Sequence, residues 1–311
     1  MKNLTAMGGL IAASRLPVLA DDPALFPRRG RWERLVLAYH HIEAGATKPF
    51  SLLHISDTHF TEAYAHEDPR RLKLKEIRTQ TFGGRQEEAL RDSLDWARQN
   101  VDFVLHTGDL IDWQSQANFD LVKKYFGDTL FGALGNHEYS RYMWLEKEGK
   151  NEAYKEETRA WVSSAYPFDL SVASKVVNGV NFVTMDDVYG YVTPQQVERF
   201  RAEVRKGLPI ILCLHVPLYT PGIWRAKNKF WRLNGQKFTS AAVPDPAGDY
   251  QVQVSDPVTR DFIAYLKTEK QLKAILAGHL HITVQERFSP TAVQYVVGGN
   301  FLFHGQEITF S

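Results

Sequence analysis

The chain has 311 residues, 44% of them hydrophobic, with a formal net charge of +1 and one cysteine. That size and apolar content suffice for one large domain with a substantial core. The balanced charge favours neither a nucleic-acid backbone nor an anionic membrane as obligatory partner, and a single cysteine excludes an intrachain disulfide.

Residues 1–31 read as a turn-rich lead-in, with Asp21-Asp22-Pro23, Pro27 and Arg28-Arg29-Gly30. Leu4 to Ala20 is mildly apolar, but Gly8, Gly9 and Arg15 interrupt the apolar centre that a signal peptide needs. No signal peptide is expected. No later stretch approaches the roughly 18 to 20 uncharged apolar residues of a membrane helix, so the expectation is a soluble, cytoplasmic protein. Trp32 to Ile42 gives the first strand pattern. Residues 1–48 therefore read as a lead-in with a flanking strand, and 49–311 as the main domain.

Four apolar runs, Phe50 to Ser56, Val101 to Thr107, Ile210 to Leu214 and Leu272 to Ala277, read as buried strands bounded by turns. Glu87 to Gln99 places Ala89, Leu90, Leu94, Trp96 and Ala97 on one helical face feeding the second of these runs, the rhythm of an α/β protein. Further on, Tyr142 to Ala165 reads as a charged helical stretch. Lys175 to Met185 reads as a hairpin turned by Asn178-Gly179, and Thr193-Pro194 as a capped helix start. Thr220 to Val258 is the least regular part and reads as a loop insertion at about 220–258. Its Trp224, Arg225 and Lys227 either meet substrate or pack as a surface excursion. Cys213, inside an apolar strand, reads as a buried thiol.

Five short segments carry the chemistry: Asp57-Thr58-His59, Gly108-Asp109-Leu110-Ile111-Asp112, Gly135-Asn136-His137-Glu138, His215, and Gly278-His279-Leu280-His281. Four of them follow the apolar runs directly, so their side chains gather at strand ends, where open α/β sheets bind ligands. Any one alone is an ordinary turn. Together they supply six or seven nitrogen and oxygen ligands without a thiolate, a donor set suited to Mn, Fe, Zn or Mg, with Mn and Fe preferred. Two such ions about 3.5 to 4 Å apart clamp the oxygens of a phosphoryl group. His54 and His106 lie inside the strands and read as satisfied core histidines. His40, His41, His66 and His304 match no motif.

The ordered set resembles the calcineurin-like metallophosphoesterases, whose DxH, GDxxD, GNH[DE], H and GHxH pattern is matched from residue 57 to 281. The resemblance implies a four-layer α/β/β/α sandwich of two mixed sheets, with the strands Ala292 to Val297 and Phe301 to Phe310 completing the second sheet. It implies Asp57, His59 and His281 as ligands of one metal, and Asn136, His215 and His279 as ligands of the other. Asp109 would bridge the two. It further implies that a metal-bridging hydroxide attacks phosphorus in line, that His137 protonates the leaving oxygen, and that Asp112 orients His137. The Ser/Thr protein phosphatases of the superfamily carry Arg after GDxxD and before GNHE; here Trp113 and Leu134 stand there. Purple acid phosphatases need Tyr where Asp112 stands. The expected function is thus a dinuclear phosphohydrolase acting on small-molecule phosphoesters, with phosphodiesters slightly preferred. The alternatives are a phosphomonoesterase or nucleotide pyrophosphatase, or an inactive metal- or phosphate-binding module.

Overall fold

The computed structural model describes residues 32–233 and 256–311. The lead-in through residue 31 and the stretch 234–255 lie outside the described residues, and Arg34–Ser311 forms one compact unit. In chain order the elements are β1 (Val36–Ile42), β2 (Phe50–Ile55), α1 (Pro69–Phe82), α2 (Gln86–Asn100), β3 (Phe103–Thr107), α3 (Gln116–Tyr125), β4 (Gly132–Ala133), α4 (Glu152–Ser163), β5 (Val172–Val177) and β6 (Val180–Met185). They continue as α5 (Pro194–Val204), β7 (Ile210–Cys213), α6 (Pro221–Leu233), α7 (Pro257–Leu266), β8 (Leu272–Ala277), β9 (Val284–Arg287), β10 (Val293–Val296) and β11 (His304–Phe310).

Two mixed sheets result, ordered β1-β11-β2-β3-β4 and β5-β6-β7-β8-β10-β9. Strands β2, β3 and β4 run parallel in the first, and β6, β7, β8 and β10 in the second. The apolar alternation of β7 shows how the layers form. Ile210, Leu212 and Leu214 face an outer cluster with Val197 and Phe200 of α5 and Phe262 and Leu266 of α7. Ile211 and Cys213 face an inner cluster with Phe50, Leu52, Leu105, Ile308 and Phe310 of the first sheet. A strand buried on both sides must be apolar at every position, which is why this run carries no alternation of polarity. Phe310 stacks on Phe50 at 4.8 Å and meets Phe182 edge-on at 5.4 Å, forming an aromatic seam between the sheets. On the far side of the first sheet, α2 buries Ala89, Leu90, Leu94 and Ala97. These layers make the α/β/β/α sandwich.

Three expectations are corrected. The last strand does not complete the second sheet: β11 lies in the first, between β1 (parallel) and β2 (antiparallel). The turn Asn300–Leu302, whose Asn300 N–H donates to Ser56 O at 2.8 Å, carries the chain across from β10. Of the charged stretch 142–165 only Glu152–Ser163 is α-helical, because Asn151 caps it through the Tyr154 N–H at 3.0 Å and thereby sets its start. The first part of the loop insertion is the helix α6. Its N-terminus is capped from β9, where Glu286 accepts the N–H groups of Gly222 and Ile223 at 3.0 and 2.8 Å. Within α6, Arg225 is exposed and Lys227 is buried. Ile223 packs on Leu280, the residue between His279 and His281.

Candidate metal centre

All five motif segments leave the carboxyl ends of parallel strands: β2, β3, β4, β7 and β8. The third also follows a strand, β4, too short at two residues to show as an apolar run. To bring side chains from these ends to one point, the backbone turns sharply. Nine non-glycine residues among those described have positive φ, and five of them are Asp57, His59, Asp109, His279 and His281, at 54 to 68°. Such conformations cost on the order of 1–3 kcal/mol each, and here the strain is concentrated in the site. The glycines of the motifs permit the close approach. A Cβ on Gly135 would lie 2.1 Å from Asp109 Oδ1, and one on Gly278 would lie 1.9 Å from Ser56 Oγ.

Two clusters form. In one, His281 Nε2 lies 3.2 Å from Asp57 Oδ1 and 3.1 Å from His59 Nε2. In the other, His215 Nε2 lies 3.2 Å from both Asp109 Oδ2 and His279 Nδ1. Asp109 Oδ2 is also 3.8 Å from His59 Nε2, so it stands between the clusters. His137 Nε2 lies at the same 3.8 Å from Asp109 Oδ2, and His59, Asp109 and His137 are close enough to form a third ligand group.

The donor set fits metal ions on three counts. Each carboxylate spends one oxygen on a backbone N–H of another motif, Asp57 Oδ2 on His279 and Asp109 Oδ1 on His137, both at 2.9 Å. The other oxygen is left for the centre, and that of Asp57 has no hydrogen-bond partner although buried. Asn136 Oδ1 is likewise buried and without a partner, a costly state for an amide oxygen that an ion would relieve. Finally, His215 Nδ1 donates to Thr107 O at 2.7 Å and His59 Nδ1 to the Asp112 carboxylate at 2.9 Å, so both Nε2 atoms are aimed inward. In this charge field, burial opposes protonation of His215 and His137, but the carboxylates outweigh it. Asp109 lifts His215 to about 10, and Asp109 with Asp112 lifts His137 to about 9. His279, buried and beside His215, falls to about 3.

A supporting layer holds these groups. Asp112 Oδ1 accepts from His59 Nδ1 and lies 3.0 Å from His137 Nδ1, whose N–H goes to the Asp112 backbone oxygen, while Arg78 bonds both carboxylate oxygens. Against burial, the His137 and Arg78 charges keep Asp112 well below the usual carboxylate range. Asp187 accepts the N–H groups of His215 and Val216, each at 3.1 Å. Glu138 is fully buried and accepts the N–H groups of Asp109 (2.9 Å), Leu110 (2.7 Å), Ile111 (3.2 Å) and Gly135 (2.6 Å), and the Tyr166 hydroxyl (2.9 Å). It ties the β3 and β4 segments together. Glu138→Ala leaves these donors buried and unpaired, at about 1–3 kcal/mol for each unsatisfied group. It is expected to lower stability by at least about 3 kcal/mol, read by urea denaturation of chelator-treated protein; a loss under about 1 kcal/mol rejects the role.

Sequence reasoning did not single out Arg78, Phe82, Glu138 or Asp187. Only Glu138 carried a signal, as the last position of its motif. The core histidines are as expected: His54 Nε2 meets Thr107 Oγ1 at 2.8 Å and His106 Nε2 meets Thr58 Oγ1 at 3.0 Å, and burial pushes both rings down to about 3. Cys213 is fully buried and its thiol is pushed up by desolvation.

A two-sheet α/β sandwich with paired His/Asp clusters at its strand ends defines a phosphoester hydrolase of the dimetal class. The calcineurin-like phosphoesterase profile matches residues 50–283, and the chain belongs to that family. Among solved structures it is similar to a dimetal phosphatase from Danio rerio, with a TM-score of 0.52 and 14% identity over 83% of this chain and 91% of that one. A phosphopantetheinyl hydrolase from Mycobacterium tuberculosis gives 0.43 and 14% over 81% and 91%. A putative 5'-nucleotidase from Staphylococcus aureus gives 0.42 and 13% over 81% and 49%. At these identities the likeness is one of fold. No curated protein matches the chain. No helix among the described residues is long and apolar enough to cross a membrane.

Proposed function

We propose that the chain is a dinuclear phosphohydrolase of small-molecule phosphoesters, with phosphodiesters slightly preferred over phosphomonoesters and nucleotide pyrophosphates. The carrying observation is the pair of buried, unpartnered oxygens, Asp57 Oδ1 and Asn136 Oδ1, gathered with the inner oxygen of Asp109 and the inward Nε2 atoms of His59 and His215, with His137 beside them. In this reading Asp57, His59 and His281 hold one ion, Asn136, His215 and His279 the other, and Asp109 both. Mn or Fe is preferred to Zn or Mg. When bound, two such ions supply a nucleophile at neutral pH and neutralise the charge of the phosphoryl group.

The chain's own part is to place a proton. The Nδ1–H of His137 donates to Asp112 O at 2.8 Å, which fixes the ring with Nε2 toward Asp109 and the centre. From Nε2 a proton reaches the leaving oxygen. Trp113 and Leu134 are both buried, at 0% and 1% exposure, so neither position offers a group to grip a phosphate dianion. That supports a substrate other than a phosphoprotein. The same proposal assigns the catalytic domain to residues 49–311 and the protein to the cytoplasm.

The test compares bis-p-nitrophenyl phosphate with p-nitrophenyl phosphate in the presence of Mn²⁺. Chelator-sensitive hydrolysis with the higher kcat/KM on the diester is expected. A monoester preference overturns the substrate order, and no turnover of a phosphoester panel with Mn, Fe, Zn or Mg overturns the activity and leaves the inactive binding module.

A further inference from the structure

We infer that Arg78, which lies outside every motif, is the positioning residue that fixes Asp112, whose carboxylate orients His59 and whose backbone oxygen orients His137. Asp112 Oδ1 accepts from His59 Nδ1 at 2.9 Å and Arg78 Nη2 at 2.7 Å, and lies 3.0 Å from His137 Nδ1. Its Oδ2 takes Arg78 Nε at 2.5 Å. One contact leaves a carboxylate free to swing about its Cβ–Cγ bond, whereas the two parallel N–H groups of a guanidinium fix its plane. With that plane fixed, Oδ1 takes the His59 N–H and sits beside His137 Nδ1, whose own N–H goes to the Asp112 backbone oxygen at 2.8 Å. The guanidinium also supplies a positive charge to a carboxylate of 0% exposure, beside that of the His137 ring.

Arg78 is itself held. It sits on the last turns of α1, with its guanidinium carbon 4.7 Å from the Phe82 ring centroid and 5.0 Å from that of Trp144. Phe82, four residues on, stacks on His59 at 4.4 Å with 14° between the planes. One helix end thus presses on His59 directly and reaches His59 and His137 through Asp112. The consequence for turnover rests on the proposed function; the orienting role does not.

The test therefore has two arms. In chelator-treated protein, imidazole ¹H–¹⁵N spectra report the Nδ1–H groups of His59, His137 and His215, the last bonded to Thr107 O and remote from Arg78. In Arg78→Ala the His59 and His137 protons are expected to exchange about tenfold faster or more while His215 is unchanged, with Arg78→Lys in between. No change at His59 and His137, or equal loss at all three, overturns the inference; Arg78→Lys and Arg78→Gln give the same reading if the alanine variant does not fold. In Mn-loaded protein, Arg78→Ala is expected to keep both ions and to hold KM within about twofold, while kcat on substrates with poor leaving groups falls about 10- to 100-fold. Guanidinium added at tens of millimolar should restore part of it. A KM rise with kcat intact overturns the positioning role. If the wild-type protein hydrolyses nothing, the phosphoesterase reading fails, and the imidazole spectra still decide the case of Arg78.

Discussion

Asp109→Asn is expected to empty both metal positions, not one. The Asp109 Oδ2 atom lies 3.2 Å from His215 Nε2 in one cluster and 3.8 Å from His59 Nε2 in the other, and no other carboxylate among the described residues lies within 4 Å of an imidazole in both. The substitution keeps the side chain's volume. Its amide oxygen can still take the His137 N–H now held by Oδ1, so the NH₂ group turns toward the imidazole nitrogens, where it repels a cation. Losing the shared ligand removes several kcal/mol of charge stabilisation, on the order of 10³-fold in turnover. Elemental analysis after a Mn²⁺ soak, run beside the wild type, is the measurement. Loss of one ion with the other at full occupancy contradicts the bridging assignment.

His137→Ala separates proton transfer from metal binding. Distance alone does not: His137 is as near to Asp109 as His59 is. It lies at the edge of the clusters, its side chain 12% exposed where that of His59 is 1%. The variant is expected to retain two ions and to lose about 10² to 10⁴ in kcat on alkyl phosphoesters, where the leaving oxygen needs a proton. Aryl esters, whose leaving groups depart as anions, should lose much less. If the variant loses metal as His215→Ala should, His137 is a ligand and the proton comes from elsewhere.

Much of the centre was legible because its residues sit where local patterns end. Apolar runs of five to seven residues marked β2, β3, β7 and β8, and the chemistry stood immediately after each. What was not legible is non-local. Nothing in Phe301 to Phe310 says which sheet it joins, since Ile308 and Phe310 pack between the sheets and either membership buries them. Helix α6 opens Pro221-Gly222 and is rich in Lys and Arg, so it reads as loop; its start is capped by Glu286, a residue far along the chain. Strand β4 is only two residues, and the stretch 142–165 keeps a helical composition across a region that turns irregular before Asn151. Arg78 is one of several basic residues on α1, and only the folded chain shows which of them faces Asp112.

The placement of β11 also governs the order in which the centre can be built. β2, which delivers Asp57 and His59, is flanked on one side by β3, a local partner, and on the other by β11, which is made after every proposed ligand. β1 has no other strand partner among the described residues and must wait as well. A nascent chain therefore carries Asp57, Asp109 and Asn136 through most of its synthesis on an unfinished three-strand sheet with an open edge. Pairing so distant in sequence is slow to form, and the late strand is what closes it. His279 and His281 precede it in the chain, so the first sheet and the full set of proposed ligands reach completion together. Premature capture of an ion by a half-made site is thereby limited to the ligands that come first.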